Sequence, residues 1–541
     1  MLFYGDAEEE VAPAAVLAEL RRDDGRWLAH DALRDRFIAL SGLTQGIADA
    51  DFRACGMDRA RPAEDVLLDA LMTLGGVLMA SWDADCAGGI APAFPVLPDL
   101  PPIVTVREAE GYAHYALYPE AYGLAARQLR LDAPPFVLGL RSIGTGLAAI
   151  AAAALGAPRP VTLRPGGDPF ARSLAIDGDL RHRILGEDRH FVIVDEGPGL
   201  SGSSFGCVAD WLEDHGVPPH RIAFLPGHQG NLGVEASERH GERWREAQRP
   251  VVQPDRLGNW VAGLVGPIDE WRDVSSGGWR TQWSSAEEEW PAVVPGWERM
   301  KFLVRSGERR WLVRFAGLSA AGHDKLALAR LLEERGFGHE TLGLTHGWLV
   351  QRWYDEARPA WPSTAELTDY LAIRAGLSAA QGASLAELVA MTRRNLPELA
   401  AWDPPVEALQ HSVRPVVTDG RLHAHEWLRL PCGRLLKADG LDHHRGHDLI
   451  GAQDIAWDEA GAAVELGPVL PSANPRLAAF YRVAYCAFQI GAHELGKGMS
   501  PDTEASRHAA TVRRYRSALV DAVEHLGDVD QSVRLGIEAF A

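Results

Sequence analysis

Cysteine is scarce in this sequence. Its five cysteines, Cys55, Cys86, Cys207, Cys432 and Cys486, lie far apart and form no CxxC pair. That excludes a disulfide framework and a cysteine-rich zinc site, and it points to a reducing compartment. A long apolar run is also missing. The longest, LAAIAAAALGA from Leu147, falls short of the about 20 residues needed to cross a bilayer. No basic patch stands out, because the arginines are scattered among acids. With 54 Lys and Arg against 74 Asp and Glu, the formal net charge is −20, so a phosphate backbone would be repelled and nucleic acid is not an expected partner. The opening MLFYGDAEEEV has neither the basic nor the apolar part of a signal peptide. The expected location is therefore the cytoplasm, with no membrane partner.

What is present fits a multidomain globular protein, since 541 residues exceed what one core normally serves. Residues 1–95 read as a helical extension, with apolar positions three or four apart in AAVLAELRRD, DALRDRFIALSGLTQGIADADF and AEDVLLDALMTLGGVLMASW. Across 96–240 the pattern becomes short apolar runs alternating with helices. PFVLGL, PVTLR, HFVIV and RIAFL are the expected strands, each a continuous hydrophobic run of the kind buried on both faces of a parallel sheet. Residues 241–298, centred on DEWRDVSSGGWRTQW, read as an irregular connector packed by tryptophan. From 299 to 541 a strand hairpin, KFLVRSGERRWLVRF, precedes a helix, the strand GWLVQRWY and a mainly helical remainder. The tyrosines Tyr112, Tyr115, Tyr118 and Tyr122 are three or four apart, as on one helix face or a strand-to-helix edge, and core packing explains them better than base stacking.

The chemistry is spelled out most clearly in FVIVDEGPGLSGSS, residues 191–204. A strand ends in two acids, and a Gly/Ser loop then opens a helix. Backbone N–H groups of such a loop, together with a helix N-terminus, form an anion site. Acids at the carboxyl end of the strand can hold vicinal hydroxyls or a metal beside it. The stretch resembles the signature of type I phosphoribosyltransferases, in which four apolar residues, two acids and a Gly/Thr/Ser loop bind phosphoribosyl pyrophosphate (PRPP). The resemblance gives Asp195 and Glu196 the ribose hydroxyls, and Gly199, Ser201, Gly202, Ser203 and Ser204 the 5′-phosphate. The loop is one residue longer than usual and contains Pro198. The upstream turn in LGLRSIGTGLAA takes the pyrophosphate role through Arg141, Ser142, Gly144 and Thr145. LRPGGDPFAR, with Arg164 and Arg172, takes the place of the lid that excludes water. GTGLAA also satisfies the GxGxxA pattern of a dinucleotide site, but Arg164 stands where such a site wants an acid.

The C-terminal half resembles aminoglycoside-phosphotransferase-like kinases in KFLVRSGERRWLVRFAGL, GWLVQRWY and RLHAHEWLRLPCGRLLKADGLDHHRGH. The resemblance gives Asp439 the metal-binding hairpin position and Glu426 the second metal ligand. Arg314 falls at the strand lysine that meets phosphates. Arg421 falls at the catalytic Asp, where a permanently protonated group is no base, leaving Asp419 or His425 as substitutes. The histidines His443, His444 and His447, among Asp439, Asp442 and Asp448, read as hydrogen-bonded loop residues rather than ligands. Asp454 and Asp458 read as structural. The expected fold class is thus α/β: a parallel-sheet phosphoribosyltransferase-like domain with an N-terminal helical extension, plus a C-terminal kinase-like α+β domain. The expected activity is phosphoribosyl transfer or related nucleotide metabolism. Small phosphoribosyl and nucleotide ligands are its partners, Mg²⁺ and ATP its cofactors, and a homodimer stays open. Two alternatives remain: a non-catalytic sensor of PRPP or nucleotide, and a dinucleotide-binding oxidoreductase.

Overall fold

The computed structural model describes residues 8–529 apart from Pro95, Pro98, Pro169, Glu187, Leu200, Val234, His447, Asp448, Pro468 and Val469. Leu200 of the phosphate loop, and His447 and Asp448 of the histidine cluster, therefore lie outside the described residues. The chain forms two compact units. One comprises Glu8–Leu257 with Gly317–Ala320, the other Gly258–Ala316 with Ala321–Ala541. Among the described residues no helix is long and apolar enough to cross a membrane.

In the first unit, α1 (His30–Cys55) and α2 (Pro62–Asp83) bury one face each, through Leu33, Phe37 and Leu40 and through Leu67, Leu71, Leu74 and Leu78. Two short helices follow, α3 (Glu110–His114) and α4 (Pro119–Ala126). The sheet then begins with β1 (Pro135–Leu140), which runs into α5 (Gly144–Leu155). The remaining elements are β2 (Val161–Leu163), a small hairpin of β3 (Gly166–Asp168) and β4 (Ala171–Ser173), β5 (His190–Val194), α6 (Ser203–Asp214) and β6 (Ile222–Leu225). The four long-run strands form a parallel sheet in the order β6-β5-β1-β2. Leu138 pairs with Val161 on one side of β1 and with Ile193 on the other. Helix α5 is apolar all round because it is covered twice, by the sheet and by α2 and α4. The N-terminal helices therefore share a unit with the sheet. The tyrosines occupy no single face: Tyr112 lies in α3 and Tyr122 in α4, both buried, as is Tyr118, whereas Tyr115 is exposed.

The second unit holds an antiparallel sheet of β7 (Glu270–Asp273), β8 (Lys301–Ser306), β9 (Arg309–Phe315), β10 (Thr341–Thr345) and β11 (Trp348–Trp353), in the order β7-β8-β9-β11-β10. Burial alternates along β9, as a strand with one face on a core requires. Helix α7 (Ser319–Glu334) follows β9. Strand β7 comes from the stretch expected to be an irregular connector and adds an edge to this sheet. A helical part follows, with α8 (Thr364–Ala375), a short hairpin of β12 (Trp427–Arg429) and β13 (Leu435–Lys437), then α9 (Ala456–Leu466), α10 (Pro475–Met499) and α11 (Asp502–Val529). Trp402, Trp457, Tyr481, Tyr485 and Tyr515 fill its core, each essentially without exposure.

Candidate functional sites

The parallel sheet reverses direction between β1 and β5: the chain steps from β1 outward to β2, then returns to the other side of β1 as β5. At such a reversal the loops leaving the carboxyl ends of the two strands diverge and open a crevice. The two loops read from the sequence as pyrophosphate and phosphate loops are these two. The first meets the end of β5 at Gly144, where a Cβ would stand 2.7 Å from the carbonyl oxygen of Val194. Only glycine admits that approach. After the acids the loop closes by the Gly202 N–H donating to the Pro198 carbonyl at 2.8 Å, and Gly202 has φ 65°, the left-handed conformation glycine takes without strain. Ser203 and Ser204 then open α6, with the Ser203 N–H donating to the Ser201 hydroxyl at 3.2 Å.

Asp195 and Glu196 sit at the mouth of this crevice in different environments. Glu196 accepts from the Gly111 N–H at the start of α3 at 3.1 Å. The Asp195 carboxylate accepts the neighbouring Glu196 N–H at 2.8 Å. Burial pushes its carboxyl up to about 7, only partly offset by that N–H and by the more distant charges of Arg164 and Arg172. The Tyr122 hydroxyl donates to the carbonyls of both acids, at 3.0 and 3.3 Å, and holds the strand end in place. Tyr122 was legible only as a core residue, and Gly111 carried no signal at all.

The arginines divide. Arg141 is buried and donates to Asp49 at 2.8 Å, to Asp58, and to the Thr162 carbonyl and hydroxyl at 3.2 Å. Arg164 donates to Asp49 at 2.9 Å and to the Arg141 carbonyl at 2.7 Å, while its own N–H reaches Asp58 at 2.8 Å. Both side chains are thus spent on a buried ion network that ties the end of α1 and the loop after it to the sheet. This corrects their expected roles on pyrophosphate and in the lid. Arg172 lies on the β3–β4 hairpin, partly exposed, donating to the Pro165 carbonyl at 3.1 Å. Thr145 is fully buried and its hydroxyl has no hydrogen-bond partner, and Ser142 is half-buried at the same turn.

In the second unit a cleft of about 880 Å³ is lined by Arg314, Glu426, Asp439 and His443 and by the indoles of Trp279, Trp283, Trp290 and Trp297. Arg314 on β9 donates to Asp439 at 3.2 Å. The loop 418–426 is fixed from beneath. Asp458 on α9 accepts the N–H groups of Asp419 at 2.7 Å and of Gly420 at 2.9 Å, and the Trp457 indole N–H donates to the Gly420 carbonyl at 3.2 Å. That is the structural role expected for Asp458, and Asp454 likewise accepts from Arg414 and Ala456 N–H groups.

Of the two expected substitutes for the base, Asp419 is buried and paired, and His425 is a weakened base. Asp419 is wholly buried and accepts from Tyr370, from Lys437 at 3.2 Å and from the Arg421 N–H at 3.3 Å. His425 stacks on Trp279 at 5.7 Å and meets Trp283 edge-on, and burial pulls its imidazole down to about 4, leaving it neutral. The residue the sequence reading passed over is Lys437. Its ammonium donates to Glu426 at 2.6 Å and to the carbonyls of Asp439 at 2.8 Å and Arg421 at 3.3 Å. Burial would strip its proton, but Asp419 and Glu426 outweigh burial and hold the proton more firmly than usual.

The implied Mg²⁺ was tested against this donor set. Glu426, Asp439 and His443 offer donor atoms within 4.8 Å of one another, as do His423, His425 and Glu426. The shared member, Glu426, is held by an ammonium, and Asp439 by a guanidinium. Mg²⁺ needs close to octahedral oxygen coordination at about 2.0–2.1 Å. What sets these residues against it is charge, since the two expected ligands, Glu426 and Asp439, each already face a protein cation.

No family model matches the chain. No curated protein matches it either. Solved structures similar to it include a choline kinase from Streptococcus pneumoniae, 15% identical over 40% of this chain and 90% of that one, with a TM-score of 0.28. A choline/ethanolamine kinase family protein from Mesorhizobium loti is 15% identical over 51% of this chain and 96% of its own, with a TM-score of 0.30. A spectinomycin phosphotransferase in complex with ADP and spectinomycin is 10% identical over 51% of this chain and 98% of its own, with a TM-score of 0.31. None of the three is a phosphoribosyltransferase. Likenesses this distant assign no activity, so the functional reading stands on the geometry of the two sites.

Proposed function

We propose that the protein handles phosphorylated small molecules at two sites: a phosphoribosyl donor such as PRPP in the crevice of the parallel sheet, and a nucleotide in the cleft of the second unit. The observation that carries the first is the reversal between β1 and β5, where the turn at Gly144 packs on the end of the strand that leads into Asp195 and Glu196. Asp195 and Glu196 would take the ribose hydroxyls. The hydroxyls of Ser203 and Ser204 and the N-terminus of α6 would take the 5′-phosphate, the Gly202 and Ser203 N–H groups being already given to Pro198 and Ser201. The turn holding Ser142 would take the pyrophosphate, with Arg172, partly exposed on its hairpin, as a cation. Asp195 is the carboxylate that would hold a Mg²⁺ here, whose chemistry would be to offset the charge of the leaving pyrophosphate. Departure of the leaving group first needs no strong base, so positioning and fixed dipoles supply most of the rate.

A second reading has its own support. Arg421 stands where the resemblance wants a base, Asp419 is consumed by Lys437 and Tyr370, and His425 is neutral and stacked. The nucleotide cleft would then bind without turning its ligand over, and the protein would report on nucleotide or PRPP levels. Calorimetry with PRPP and Mg²⁺ tests the main reading. Micromolar binding in the wild-type chain, lost by at least about tenfold in D195N/E196Q, is expected, since two charge-assisted hydrogen-bond acceptors are removed. Undiminished affinity in the double variant would place the ribose elsewhere. PRPP binding without pyrophosphate release on any nucleobase would favour the sensor.

A further inference from the structure

The nucleotide reading of the cleft raises the question of what screens the ligand's phosphates. Among the described residues, each carboxylate at the cleft floor is already matched by a protein cation. Lys437 holds Glu426 at 2.6 Å and Asp419 at 3.1 Å. Arg314 holds Asp439 at 3.2 Å. Lys325 lies 3.5 Å from Asp442, and Arg299 4.0 Å from it. The Lys437 ammonium has no exposure, and its three N–H groups are shared among two carboxylates and two backbone carbonyls. A divalent ion on Glu426 would have to displace that ammonium, which has no route to water, or sit within a few ångströms of it. Either choice sets two positive centres against each other at a buried site, a repulsion that the coordination would have to offset.

The same cleft carries positive charge. Arg314, Arg299 and Lys301 line it, and Lys301 is only loosely held, 3.5 Å from Glu298 and 5.9 Å from the centre of the Trp279 ring. Arg421 lines it too, with a guanidinium where an acid was expected. A guanidinium forks onto two phosphate oxygens and stays charged at every working pH.

We propose that this cleft binds its phosphorylated ligand without a metal ion, with Arg314 as the principal phosphate contact and Lys301 and Arg299 beside it. Lys437 takes the electrostatic place of the metal for Glu426. Asp439 then competes with the ligand for Arg314 and is no ligand to a cation. The inference rests on the nucleotide reading above, and the two can fail separately.

The test is ATP and ADP binding to the full chain by calorimetry, in Mg²⁺ and in EDTA, for the wild type and for D439N and R314Q. Affinity in EDTA should lie within about twofold of that in Mg²⁺, and D439N should bind as tightly as the wild type or more so. R314Q should weaken binding at least about tenfold in both buffers, the loss of one bidentate charged contact. A loss of about tenfold or more on adding EDTA, or in D439N with its melting temperature unchanged, overturns the metal-free assignment and leaves the nucleotide reading standing. No binding by the wild type in either buffer overturns both. The wild-type comparison keeps the question decidable even where a variant fails to fold.

Discussion

Asp195 is held in two chemical states by one feature, its burial at the end of β5. In the folded protein its carboxyl is pushed up to about 7 from an ordinary 3.8. Between those values the native state keeps a proton that the unfolded chain has lost, so the residue's contribution to stability falls as pH rises through this window. D195N removes the titration. The first unit of this variant should gain melting temperature relative to wild type at about pH 8 and show a smaller difference at about pH 5, a comparison thermal melts decide. Equal differences at both would show that the carboxyl is not perturbed. Arg141 shows the limit of reading single residues. In the sequence it follows a strand and precedes a glycine turn, as an anion clamp does, yet its partners Asp49 and Asp58 lie 92 and 83 residues earlier. Nothing local marks them. Once paired and buried, the guanidinium has little left to offer a ligand, and removing one member of such a network costs about 3–5 kcal/mol.

At the scale of elements, the strands of the parallel sheet were legible because each is a continuous apolar run set between glycine turns, and so was the pairing of acids with a Gly/Ser loop. The N-terminal helices, read as an extension, lie in one unit with the sheet, and the sequence carries a reason for it. GTGLAAIAAAAL has no polar face, so a sheet on one side could not cover it. A chain beginning at residue 96 should therefore expose α5 where α2 now packs. It should aggregate or bind a hydrophobic dye, and a soluble, cooperatively melting product would refute the shared core. Strand β7 was illegible for the opposite reason. EWRD has no alternation and is half-buried to exposed throughout, so only its pairing with β8 makes it a strand. The loop 418–426 was read correctly in its brace, Asp458, and incompletely in its chemistry, because Lys437 acts from a neighbouring strand across a distance of 11 residues from Glu426.

For the whole molecule, the two units have separate cores, one built on the parallel sheet and others on the tryptophan- and tyrosine-filled helices. Two-state unfolding is then not expected. Calorimetric scanning should resolve two transitions, PRPP raising one and ATP the other by mass action. A single transition raised by either ligand would mean that the units melt as one. The charge of −20 is also a property of the whole, and within it Arg314, Arg299 and Lys301 are local cations at one cleft. Indoles share that cleft, among them Trp279, Trp283, Trp290 and Trp297. Indole emission shifts and quenches with the polarity and charge of its surroundings, so the cleft carries its own optical reporter. Entry of a phosphorylated ligand registers in the protein's intrinsic fluorescence, without a label.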